Sequence, residues 1–113
     1  MMNFEEYKKE CQRTSGVFDN YAESLCSYSM GLVGESGEVV DYIKKLVFHG
    51  HKFSKEKLIE ELGDVLWYFT MLTSICDIQI DEVMRKNIEK LKKRYPNGFT
   101  CEDSINREKQ NAE

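Results

Sequence analysis

A single proline, Pro96, occurs in the whole sequence. The stretches before it lack the strict apolar–polar alternation between turn residues that marks strands, so helices joined by short loops are expected. The four cysteines, Cys11, Cys26, Cys76 and Cys101, are widely separated and form no C-x-x-C pair. That argues against a zinc cluster or a thioredoxin-like redox site, and reduced thiols are expected. Nowhere do about 18 apolar residues run together, and no basic patch precedes an apolar stretch at the start. Neither a membrane span nor a signal peptide is expected, and the cytoplasm is the default location. Positive charge is also in short supply, since 16 Lys and Arg face 20 Asp and Glu for a net charge of -4. Such a surface has no general attraction for nucleic-acid phosphates or anionic membranes, so neither is expected as a partner, and any phosphate the protein binds needs a local site.

What is present is a foldable chain. Six Phe, six Tyr and repeated Leu and Ile within 41% hydrophobic residues exclude a disordered composition. A chain of 113 residues fits one domain, 1–113, and a domain that short buries only a modest share of its surface, which makes a second copy an expected source of core. Four helices are read from the pattern. Asn3 with Glu6 three residues on forms a capping-box signal ahead of Phe4, Tyr7 and Cys11, ended by Ser15-Gly16. A second helix follows Asp19-Asn20, carries Leu25, Tyr28, Leu32, Val39, Ile43 and Leu46 as its stripe, and stops at His49-Gly50-His51. Ser54 is the expected N-cap of a third, with Leu58, Leu62, Val65, Phe69, Leu72 and Cys76 along one face. The fourth runs from about Asp81 to Tyr95 and ends at Pro96-Asn97-Gly98. Residues 102–113, with Ile105 as their main apolar member, are expected to form a flexible charged tail.

Two pairs of acids stand out. Glu35 and Glu38 on the second helix, and Glu61 and Asp64 on the third, are each three residues apart, so each pair projects from adjoining turns of one side. Their positions, one heptad from Tyr28, Tyr42 and Tyr68, put them at the edge of the apolar stripes. An unpaired buried carboxylate costs several kcal/mol, so four of them in facing stripes call for cations or protonation. All-oxygen ligation suits Mg²⁺, with Mn²⁺ as a substitute, and four carboxylates suit more than one ion bridged by phosphate. Gly34 and Gly37 beside one pair, and Gly63 beside the other, are expected to let the two backbones approach closely.

A second cluster lies on the fourth helix, where Asn87, Lys90 and Arg94 follow i, i+3, i+7 spacing and share a face suited to gripping phosphate. A solvated basic face favoured by the helix dipole is the plainer alternative there. His49 and His51 read as loop residues at a helix end and Lys44-Lys45 as a solvated pair. Trp67, Tyr28, Tyr42 and Tyr68 read as core or interface. No Glu-x-x-His pair exists at Glu38 or Glu61, so a ferritin-like di-iron site is not expected.

The stretch Gly31-Leu32-Val33-Gly34-Glu35-Ser36-Gly37-Glu38, followed by Glu60-Glu61-Leu62-Gly63-Asp64-Val65-Leu66-Trp67-Tyr68, resembles the E-x-x-E and E-x-x-D signature of MazG-like nucleoside triphosphate pyrophosphohydrolases. Asn87-Ile88-Glu89-Lys90-Leu91, then Lys93-Arg94-Tyr95-Pro96 and Gly98-Phe99, resembles that family's N-x-x-K-L and R-Y-P elements. The likeness covers roughly Leu25 to Phe99 in order. It implies an all-α, four-helix-bundle-like fold assembling as a homodimer or homotetramer, Mg²⁺ as cofactor, and hydrolysis of a nucleoside triphosphate, a dNTP or a noncanonical one, to monophosphate and pyrophosphate. It also implies Glu35, Glu38, Glu61 and Asp64 as metal ligands, and Asn87, Lys90 and Arg94 as candidate phosphate contacts; for a water attacking the α-phosphorus in line, Glu35 or Glu38 is the expected general base. The rivals are a non-catalytic helical interaction module, in which the acids pair with lysines between helices, and a metal-dependent phosphatase.

Overall fold

Residues 1–112 are described by a computed structural model, with side chains described as far as Arg107. The described chain is all-helical, and Pro96 and Gly98 form an isolated bridge. The helices are α1 (Phe4–Arg13), α2 (Tyr21–Phe48), α3 (Lys55–Ile75), α4 (Ile80–Arg94) and α5 (Cys101–Ala112). Five helices stand where sequence pattern gives four, because α5 occupies the stretch expected as a tail. Thr100 Oγ1 accepts the Asp103 amide at 3.0 Å and starts that helix. The side chains of the tail from residue 108 lie outside the described residues.

The helix starts are where short polar side chains put them. Asn3 Oδ1 accepts the Glu6 amide at 2.9 Å, Asn20 Oδ1 accepts that of Glu23 at 2.9 Å, and Ser54 Oγ accepts that of Lys57 at 3.2 Å. Each satisfies an amide that the first turn leaves without an intrahelical partner. At the far end of α2, Gly50 takes a left-handed φ of 71°, open to glycine at no steric cost, and turns the chain back toward α3.

Two compact units are distinguished, Met1–Ile78 and Gln79–Glu113. In the first, α2 and α3 run antiparallel across the short turn at residues 49–54, and α1 lies against α3. Gln12 Nε2 donates to Ser74 Oγ at 2.9 Å and Trp67 Nε1 donates to Thr14 Oγ1 at 3.0 Å, which fasten α1 in place. The core gathers around Cys11, Tyr28 and Met71, with Phe18 and Trp67 edge-on to Tyr28. The most buried side chains of α3 are therefore Thr70, Met71 and Thr73, not the expected stripe. That stripe's Leu62 is exposed, as are Ile59 and Leu66. On α2, Val33, Val40 and Val47 recur one heptad apart and are likewise exposed. Long α2 has apolar residues around more of its circumference than one antiparallel neighbour and a ten-residue α1 can cover.

The expected role of the glycines also needs correction. A β-carbon at Gly34, Gly37 or Gly63 would meet nothing within 4 Å, because those positions face outward. Gly31 is the close approach, since a β-carbon there would fall 2.1 Å from the Tyr68 ring. In the second unit, α4 opens with Glu82 accepting the Gln79 amide at 3.2 Å, and the rings of Tyr95 and Phe99 lie 5.3 Å apart beyond its end.

Candidate metal centre

The three-residue spacing that puts two acids on one side of a helix also lets two antiparallel helices aim acids at each other. Gly31 admits the Tyr68 ring against α2. One turn further on each helix, Glu35 of α2 meets Glu61 and Asp64 of α3. One carboxylate oxygen from each of these three lies within 4.8 Å of the others. Glu35 and Glu61 are half-buried and Asp64 is exposed, so the cluster opens to solvent on one side.

Like charges at that distance oppose ionisation. The Glu35 carboxyl is pushed above its ordinary range, first by partial burial and then by the charges of Asp64, Glu61 and Glu38. Tyr7, reaching in from α1, has its hydroxyl pushed up to about 12 by burial, by its bond with Cys11, and in smaller part by the Asp64 charge. One cation offsets the cluster: Lys57 Nζ lies 3.0 Å from Glu61 Oε1, four residues away on the same helix. Among the described residues the ion pairs to these acids are within α3, not between helices as the interaction-module reading requires. Three converging carboxylates with one exposed lysine form an oxygen donor set short of positive charge, which fits a hard divalent cation.

Of the four acids singled out in the sequence, three come together and Glu38 stands apart. It is exposed, one turn along α2, and lines a cleft beside the trio that Lys57 and Glu61 also line. Asn87, Lys90 and Arg94 lie on α4 in the second unit, and the Arg94 Nε is shielded from solvent without a hydrogen-bond partner among the described residues. Lys57 is the residue that sequence reasoning passed over. Its i, i+4 relation to Glu61 was a usable signal, because a glutamate and a lysine so spaced are neighbours on a helix.

Residues 23–99 match the MazG nucleotide pyrophosphohydrolase domain, a span that takes in both acid pairs and the α4 motif. The chain belongs to that family. Among curated proteins it is similar to the Gene 37 protein of Mycobacterium phage L5, at 34% identity over 89 residues, covering 75% of this chain and 78% of the phage protein. That relative's name specifies no activity. No solved structure matches the chain at a significant level.

Proposed function

We propose that the protein hydrolyses nucleoside triphosphates, dNTPs or noncanonical NTPs, to the monophosphate and pyrophosphate with Mg²⁺ as its metal, Mn²⁺ substituting. The observation that carries this is the convergence of Glu35, Glu61 and Asp64 within a family of nucleotide pyrophosphohydrolases. These three would hold the cation, with Glu38 joining them or serving beside them. When bound, the cation supplies positive charge against the polyphosphate and against the charge that develops on the leaving group.

The chain's own residues do the rest. Glu38, outside the trio and exposed, is the general base we favour over Glu35, which converges with Glu61 and Asp64 on the proposed cation position. It takes a proton from the water that attacks the α-phosphorus, and the bond from the α-phosphorus to the bridging oxygen breaks as the new one forms. Asn87, Lys90 and Arg94 are proposed phosphate contacts on the strength of the sequence resemblance. The matched span runs through both units, and residues 1–113 are proposed to act as one domain. No helix among the described residues is long and apolar enough to cross a membrane, and a cytoplasmic location is proposed. The exposed apolar residues of α2 and α3 support a homodimer or homotetramer.

The test is a panel of ribo- and deoxyribonucleoside triphosphates with purified protein and Mg²⁺ or Mn²⁺, resolving every product, with Glu38→Ala alongside. Monophosphate plus pyrophosphate, lost in the variant, is the expected result. Diphosphate plus phosphate would point to a phosphatase, and no turnover with either metal would leave the interaction module.

A further inference from the structure

We propose that the cleft between the end of α2 and the start of α3 receives the β and γ phosphates and releases them as pyrophosphate, with Lys57, Lys45 and His51 as its anion ligands. This rests on the pyrophosphohydrolase reading and names where the leaving group goes. The cleft has a volume of about 300 Å³ and shares Glu61 with the acid trio. At ~30 Å³ per water it holds about ten waters, room for a partly hydrated pyrophosphate.

The cleft walls are built in advance. The Tyr42 hydroxyl accepts the Ser54 amide at 2.7 Å and donates to the Ser54 carbonyl at 3.2 Å, tying the first turn of α3 to α2. Gly50 reverses the chain and the His51 amide bonds the Lys45 carbonyl at 3.2 Å, which brings His51 back to the cleft.

Both lysines are loosely committed. Lys45 lies 3.0 Å from Asp41, but Asp41 has a second lysine, Lys44, also at 3.0 Å on its other oxygen. Lys57 pairs with Glu61, which belongs to the trio. The Lys45–Asp41 pair is open to solvent and holds weakly, whereas the Glu61 partner of Lys57 is half-buried. Lys45 can therefore turn to an anion while Asp41 stays paired, and Lys57 would be free to do so if Glu61 held a cation. The other ion pairs of the unit, Lys8 with Glu5 and Arg13 with Glu10, lack such a second claimant among the described residues. Because Glu38, Asp41 and Glu61 also line the cleft, bare pyrophosphate is held poorly and its binding is tied to the divalent cation.

The experiment is calorimetric titration of sodium pyrophosphate into the full chain, with and without Mg²⁺, for wild type, Lys57→Met, the Lys45→Met/Lys57→Met double variant and Lys44→Met. His51 and His49 ring resonances are followed by NMR in parallel. Wild type should bind at least ten-fold more tightly with Mg²⁺. Lys57→Met should weaken that binding about ten-fold or more, as expected for loss of a charge-assisted hydrogen bond. The double variant should lose more, and Lys44→Met, which leaves Lys45 as the remaining partner of Asp41, should weaken binding by a smaller factor than Lys57→Met. His51 should shift more than His49. Unchanged affinity in the double variant overturns the cleft assignment, even where the wild type makes monophosphate and pyrophosphate. A wild type that makes no pyrophosphate overturns instead the reading on which the assignment rests.

Discussion

Asp64 and Thr70 sit less than two turns apart on α3, and each costs the metal-free fold stability for a different reason. Asp64 is one of three carboxylates drawn within 4.8 Å of one another, so removing its charge relieves repulsion in the metal-free protein and, on the proposed function, would strip the cation site of a ligand. Asp64→Asn is therefore expected to raise the thermal midpoint without metal, to lack the Mg²⁺-induced midpoint shift expected of wild type, and to lower turnover about 100-fold or more. Melts with and without Mg²⁺ beside an activity assay check all three. Thr70 is fully buried and its Oγ1 has no hydrogen-bond partner among the described residues. Thr70→Val should stabilise by about 1 kcal/mol in urea unfolding, because it removes an unsatisfied hydroxyl at nearly constant volume.

Asp41 carries the clearest pH dependence. Hydrogen bonds from Lys45 and Lys44 lower its carboxyl from 3.8 to about 2. A depressed carboxyl contributes stability above its unfolded value that is lost as the pH falls through the folded one. The stability advantage of wild type over Asp41→Asn should thus be complete above about pH 5 and be lost as the pH falls through about 2, small throughout because the pair is exposed.

At the scale of the helices, α2 and α3 are held in register where Gly31 admits the Tyr68 ring. Gly31→Ala drives a methyl group into that ring and should cost about 1–3 kcal/mol, with loss of Mg²⁺ affinity because Glu35 lies one turn away. Gly34→Ala meets no neighbour within the chain, so alanine's helix propensity should act alone and add about 0.5–1 kcal/mol. A loss there would report a partner helix seated on that face. Urea melts of both variants separate the two positions. The helix ends themselves were legible in the sequence, since Asn3, Asn20, Ser54 and Gly50 act through neighbours within a few residues. The beginning of α5 was not, because Thr100 follows a proline–glycine turn and the segment beyond has little apolar periodicity to reveal a helix.

For the whole molecule, the exposed apolar residues have the largest consequence. Val33, Val40 and Val47 on α2, and Ile59, Leu62 and Leu66 on α3, remain open to solvent, more than a lone small domain ordinarily shows. Sedimentation equilibrium should give a mass of two or four chains, and Val40→Glu with Val47→Glu should shift it toward one and lower the thermal midpoint.

The sequence by itself determined the helical class, the caps, the pairing of acids on adjoining turns and the family, because each depends on residue type at short spacing. It also left Lys57 within reach at four residues from Glu61. The tertiary structure decided which three acids converge, that Gly31 and not Gly34, Gly37 or Gly63 is the point of close approach, and that Thr70 and Met71, not Leu62, face the core. These follow from the rotation and register of α2 against α3. That register is settled by a few long-range contacts, Tyr68 on Gly31, Tyr28 against Trp67 and Tyr42 with Ser54, whose partners lie twelve to about forty residues apart in the chain, beyond the reach of any local pattern.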